Sequence, residues 1–174
     1  DAAFLNGVTP TTAFASAPKL PEFLWIAYQM TFAIITPALI AGSVAERMKF
    51  SAFVLMIALW SVFVYAPICH WVWGGGFLAG MKVLDFAGGA VVHVNSGVAG
   101  LVACLVLGKR KGFGRDNMAP HNLAYTMIGA SLLLVGWIGF NAGSAWAADS
   151  IAAVALLNTL VAAMTGALGW TLPE

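Results

Sequence analysis

His93 stands out chemically because it lies inside a long apolar run, Phe86 to Gly108, where a titratable ring has little water to solvate it. Seven residues into a helix that starts at Phe86, it would sit at a depth of roughly 10 Å, at 1.5 Å per residue. Ionisable groups in such runs are rare and mark substrate paths or proton relays by default. His93 is therefore read as lining a pathway, with an imidazole satisfied by a neighbouring helix as the alternative. The other two histidines, His70 and His121, fall at the edges of different runs and are not partners for it within the run.

Asp85 opens the same run, followed by Phe86-Ala87-Gly88-Gly89. Its carboxylate is suited to accept the first free N–H groups of the helix and to complement the positive helix end. A cation-binding carboxylate is the competing reading. Just upstream, Cys69-His70-Trp71-Val72-Trp73-Gly74-Gly75-Gly76 puts two indoles beside three glycines. An indole face over a mouth attracts a cation by about 0.5–2 kcal/mol, yet tryptophans also gather at membrane interfaces as an aromatic belt; both readings stand. Spacing of four aligns Tyr28 with Phe32, and Phe140 with Ser144, each pair on one helix face. Rings beside one hydroxyl make a narrow, mostly dry passage with an acceptor at its entrance; lipid-facing or core packing is the plainer alternative.

These residues need elements to position them. Five uncharged stretches are long enough to cross a hydrocarbon core as helices, which takes about 20 residues: Phe23 to Ala45, Phe50 to about Cys69, Phe86 to Gly108, about Leu123 to Gly143, and Ile151 to about Leu172. Lipid-exposed backbone must pair within its own segment, so the expected fold is all-α, a polytopic transmembrane bundle. A barrel would show shorter segments alternating residue by residue. Residues 1–22, with Pro10, Pro18 and Pro21, read as an external loop. Pro37 falls mid-helix and predicts a kink in the first span. Gly139 and Gly143 have the small-xxx-small spacing that lets membrane helices approach closely.

Composition agrees: 61% of residues are hydrophobic and 9% charged, against about 25% charged in soluble domains. Six of the eight Lys and Arg residues fall in two loops, Arg47 and Lys49 within 46–49, and Lys109, Arg110, Lys111 and Arg115 within 109–115. Short basic loops mark the cytoplasmic side, which puts His70 to Asp85 and Ser144 to Ser150 outside. The chain is thus expected in a cell membrane, plasma or inner, crossing it several times. A net charge of +1 does not support nucleic-acid binding. The Gly108 to Arg115 loop lacks GxxxxGK[ST] and follows no strand, so it is not a phosphate loop; anionic lipid is a secondary partner for its basic residues. Cys69 and Cys104 have no pairing or metal-ligand spacing. No cofactor motif and no convergent nucleophile, base and oxyanion donors occur, so an enzyme is not expected. Beginning at Asp1, the chain is read as a fragment.

With those residues in place, the chain resembles the ammonium transporters of the Amt/Mep/Rh family, on the Amt branch, from Tyr28-Gln29-Met30-Thr31-Phe32 onwards. The strings that carry the likeness include Ala45-Glu46-Arg47-Met48-Lys49-Phe50-Ser51-Ala52, His70 to Gly76, Leu84-Asp85-Phe86-Ala87-Gly88-Gly89-Ala90-Val91-Val92-His93, Pro120-His121-Asn122-Leu123, and Gly136-Trp137-Ile138-Gly139-Phe140-Asn141-Ala142-Gly143-Ser144. The resemblance implies a homotrimer of eleven-helix protomers, of which this chain supplies roughly the third to seventh helices. It implies that Trp73, Phe32 and Ser144, with Tyr28 nearby, recruit ammonium at the outer face, and that Phe32 and Phe140 form a gate. It further implies that His93 lines the pore and that Asp85 orders the external site. Ammonium or ammonia, with methylammonium as a related substrate, and a nitrogen-signalling regulator at the cytoplasmic face are the implied partners; cofactors and metals are not. A Tyr at position 28 is a mild departure from Phe. An ammonium sensor on the same fold is the alternative function. A Rh-like channel for neutral gases fits less well with Trp73 and Ser144.

Overall fold

The structure is a computed structural model and describes residues 3–172. The chain divides into two compact units, Asp1–Asp116 and Asn117–Glu174. Five helical segments among the described residues are long and apolar enough to cross a membrane: Glu22–Val44, Phe50–Gly80, Gly89–Leu107, Leu123–Gly143 and Ser150–Thr171. Their ends lie within three residues of the apolar stretches read from the sequence, except the end of the second.

The differences fall where polar chemistry interrupts the apolar runs. Residues 1–22, expected as a loop, contain a small antiparallel hairpin, β1 (Ala13–Phe14) and β2 (Ala17–Pro21). The hairpin leads directly into α1 (Glu22–Val44), which contains Pro37. The buried Thr36 donates to Phe32 O at 2.6 Å just before that proline.

The second span was expected to end near Cys69, but it runs on. α2 (Phe50–Trp60) passes through a π-helical turn, Ser61–Tyr65, into α3 (Ala66–Trp73). In that turn the Ala66 N–H reaches back five residues to Ser61 O. Pro67, which has no N–H and whose ring crowds the carbonyl four residues back, follows immediately. His70 marks the end of the apolar run but not of the helix, since backbone pairing is indifferent to one polar side chain. Glycine stops it. A Cβ at Gly74 would lie 2.4 Å from the His70 side chain, and one at Gly76 would lie 2.5 Å from Trp71 Cα. A short turn, α4 (Phe77–Gly80), follows.

The third span begins at Gly89, three residues later than expected. It opens with a second π-helical turn, Gly89–Val94, and continues as α5 (Asn95–Leu107). The Asn95 N–H bonds Ala90 O. Its side-chain amide donates to Val91 O at 3.1 Å, the carbonyl that an α-helical turn would have given to the backbone N–H. α5 packs on α1, where a Cβ at Gly100 would meet the Ser43 side chain. At that end Arg47 donates to Ser43 O and Gly108 O, and to Cys104 Sγ at 2.9 Å. Its cation thereby caps the carbonyl ends of α1 and α5. Arg110 pairs with Glu46 at the exposed surface.

The second unit is an antiparallel helix pair, α6 (Leu123–Gly143) and α7 (Ser150–Thr171). Asn122 caps α6 by accepting from Tyr125 N, and Asp149 caps α7 by accepting from Ile151 N and Ala152 N. Asn141 Nδ2 donates to Thr159 Oγ1 between the two helices at 3.0 Å.

Candidate functional site

Four of the expected site residues meet in the first unit. Phe32, on α1, is 1% exposed. Its ring receives Tyr28 edge-on at 5.0 Å and 89° from the turn before it, and packs against Trp73 at 4.9 Å and 71° from the last turn of α3. Edge-to-face rings at these separations lie in the favourable arrangement set by their quadrupoles. Trp73 Nε1 donates to Asp85 O at 2.8 Å, which fixes the indole plane.

Asp85 ties the site together. Its Oδ1 accepts from Gly88 N at 2.6 Å, and its Oδ2 accepts from Ala90 N at 2.8 Å and Val91 N at 2.9 Å. One carboxylate therefore satisfies three N–H groups at the start of the third span while its own carbonyl holds Trp73. Both carboxylate oxygens thus accept from backbone N–H groups. Gly88 supplies the remaining contact. Its φ of +99° is in the left-handed region, and a Cβ there would lie 2.8 Å from Val92 Cγ2 and 3.3 Å from Phe32 Cε1. Only glycine lets the Asp85 loop lie this close to the Phe32 ring.

His93 sits within the π-helical turn and is exposed, between the buried pairs Val91 and Val92 (0% and 1% exposed) and Asn95 and Ser96. Because the span starts at Gly89, His93 lies four residues in, roughly 6 Å along a helix axis, rather than the 10 Å expected. The other two expected residues belong to the second unit. Phe140 stacks on Trp137 at 4.9 Å and 12°, and Ser144 Oγ donates to Phe140 O at 2.9 Å. Among the described residues, no three His, Cys, Asp or Glu side chains gather to hold a metal.

The sequence reading passed over Gly88, Trp25 and Phe14. Trp25 contacts Tyr28 at 5.9 Å, and Phe14 of β1 stacks on Trp25 at 4.0 Å and 15°. The spacing of Trp25, three residues before Tyr28 on the same helix face, was a usable signal. Phe14 comes from another element and gave none.

The fold and site define a multi-pass α-helical membrane protein whose first unit presents a fixed group of aromatic rings beside a backbone-capping carboxylate. The sequence pattern of the Ammonium Transporter Family matches residues 3–174, and the chain belongs to that family, one of transporters rather than enzymes. Similar proteins include an "Ammonium transporter" of Aquifex aeolicus, 51% identical over 98% of this chain and 38% of the relative. An "Ammonium transporter" of Bacillus subtilis is 53% identical over 89% of this chain and 38% of the relative. "Ammonium transporter 1" of Dictyostelium discoideum is 44% identical over 98% and 37%. The chain thus spans less than two-fifths of the length of these relatives.

Proposed function

We propose that this chain is part of the conduction unit of an ammonium transporter that recruits ammonium at the Trp73 and Phe32 rings and conducts ammonia past His93. The supporting observation is the fixed placement of those rings: Phe32 is held edge to face by Tyr28 and Trp73, and Trp73 is held by Asp85. Family membership and the names of the relatives support ammonium as the substrate. In this reading Tyr28 borders the recruited cation; the roles of Ser144 as its acceptor and of Phe140 with Phe32 as the gate rest on the family resemblance alone. The loops 46–49 and 109–115 are cytoplasmic, the assembly is a homotrimer, and methylammonium is carried as an analogue. A nitrogen-signalling regulator meets the cytoplasmic face.

Selectivity follows from solvation. A bare monovalent cation is heavily penalised in a low-dielectric passage, whereas neutral ammonia is not. Ammonium can pass its proton to water at the mouth, and that proton either stays outside or moves separately from the ammonia; potassium has none to give. The test is methylammonium uptake by the complete gene in cells lacking their own ammonium transporters. Trp73→Leu removes a cation–π partner of about 0.5–2 kcal/mol and is expected to raise KM by about 2- to 30-fold. His93→Ala is expected to lower the maximal rate. Absence of saturable uptake by a well-expressed wild type overturns the proposal; ammonium-dependent signalling in that case would favour a sensor.

A further inference from the structure

The recruitment rings are the inner end of a longer row. Phe14, Trp25, Tyr28, Phe32 and Trp73 follow one another at centroid separations of 4.0, 5.9, 5.0 and 4.9 Å. Trp25, Tyr28 and Phe32 share one face of α1 by their spacing of three and four. Phe14 does not: it reaches the row from the hairpin. The hairpin is fastened to the start of α1, because β2 runs into it without a break and Glu22 N donates to Thr12 O at 2.9 Å. Thr12 is held in turn by Thr9, whose N–H donates to Thr12 Oγ1 at 2.9 Å.

We propose that Phe14 and Trp25 are positioning residues for ammonium recruitment, so that the external hairpin sets the transporter's affinity. The proposal rests on the recruitment reading above. Tyr28 has a ring on either side of it, Trp25 outward and Phe32 inward, and Trp25 is fixed by the near-parallel face of Phe14. Without Phe14, Trp25 gains rotameric freedom and Tyr28 loses its outer support. The edge-to-face geometry at Phe32 then loosens at the point where the cation is held. Neither residue lies beside His93 in the chain, and the conduction step is expected to be left intact.

The experiment measures methylammonium KM and maximal rate per transporter at the cell surface, using the complete gene. Phe14→Leu, which keeps an apolar side chain but removes the ring, is expected to raise KM about two- to tenfold, the range for losing one aromatic pair. The maximal rate is expected to be unchanged. Phe14→Tyr restores the ring and should restore KM. Trp25→Leu should raise KM at least as far, and the double variant by less than the two single effects multiplied, because the two rings stack on one another. A variant present in smaller amounts still reports its KM. An unchanged KM in Phe14→Leu, or a loss confined to the maximal rate, overturns the proposal while leaving the recruitment reading standing. A wild type without saturable uptake overturns both.

Discussion

The ring cluster of the first unit and the helix pair of the second are built by different means. Around Phe32, α1, the end of α3 and the Asp85 segment are joined by ring contacts and by the bond from Trp73 to Asp85 O, while one carboxylate holds three N–H groups of its own segment. Between α6 and α7, the hydrogen bond from Asn141 to Thr159 joins two helices whose other polar contacts are mostly caps or bonds within a turn. The ring cluster uses polar groups for orientation, and damage to one of them spreads to the others. The helix pair relies on distributed packing, where one lost group has little leverage.

The sharpest way to break this contrast is Asp85→Ala. It leaves the Gly88, Ala90 and Val91 N–H groups without their acceptor, an expected loss on the order of 3 kcal/mol. The purified protein should melt at a clearly lower temperature, and uptake should fall to background. Near-normal melting would mean that water or backbone takes over the three N–H groups and that Asp85 is not the hub.

Gly88→Ala is the next largest test. A side chain at φ +99°, pressed into Val92 and Phe32, should cost about 2 kcal/mol. Displacement of the Phe32 ring should raise KM as well as lower the melting temperature. A change in melting alone would separate the loop's stability from ring placement.

The smallest effect is expected from Asn141→Val in the second unit. Interhelical side-chain hydrogen bonds in membranes contribute about 0.6 kcal/mol on average. Melting should shift barely, with KM unchanged. A loss as large as that of Asp85→Ala would erase the distinction between the two regions.

How much of this was legible beforehand follows the same division. The spans could be read because a 20-residue apolar run has few other solutions in a bilayer. Asp85 could be read as a cap because an acid beside glycines at the start of a helix has an obvious task. The π-helical turns at Ser61–Tyr65 and Gly89–Val94 could not: hydropathy carries no record of which carbonyl an N–H chooses. The extension of the second span to Trp73 was hidden for a related reason, since His70 looks like an end to a polarity count but not to a backbone. The hairpin and the stack of Phe14 on Trp25 depend on contacts between elements, and no local pattern in the N-terminal segment announces them. The edge-to-face packing of Phe32 on Trp73 likewise joins residues 41 positions apart, and only the family resemblance had drawn those two residues together.

The Arg47 clamp also has a place in time. Its acceptors at Gly108 and Cys104 lie 61 and 57 residues further along the chain. At synthesis rates of about 5–20 residues per second, on the order of 3 to 12 s pass between the appearance of the guanidinium and that of its farther acceptor. For that interval the guanidinium has Ser43 O of its own helix but neither acceptor on the third span, and the whole second span must be made before α5 can dock. The docking of α1 against α5 is therefore sealed late, by a residue made early.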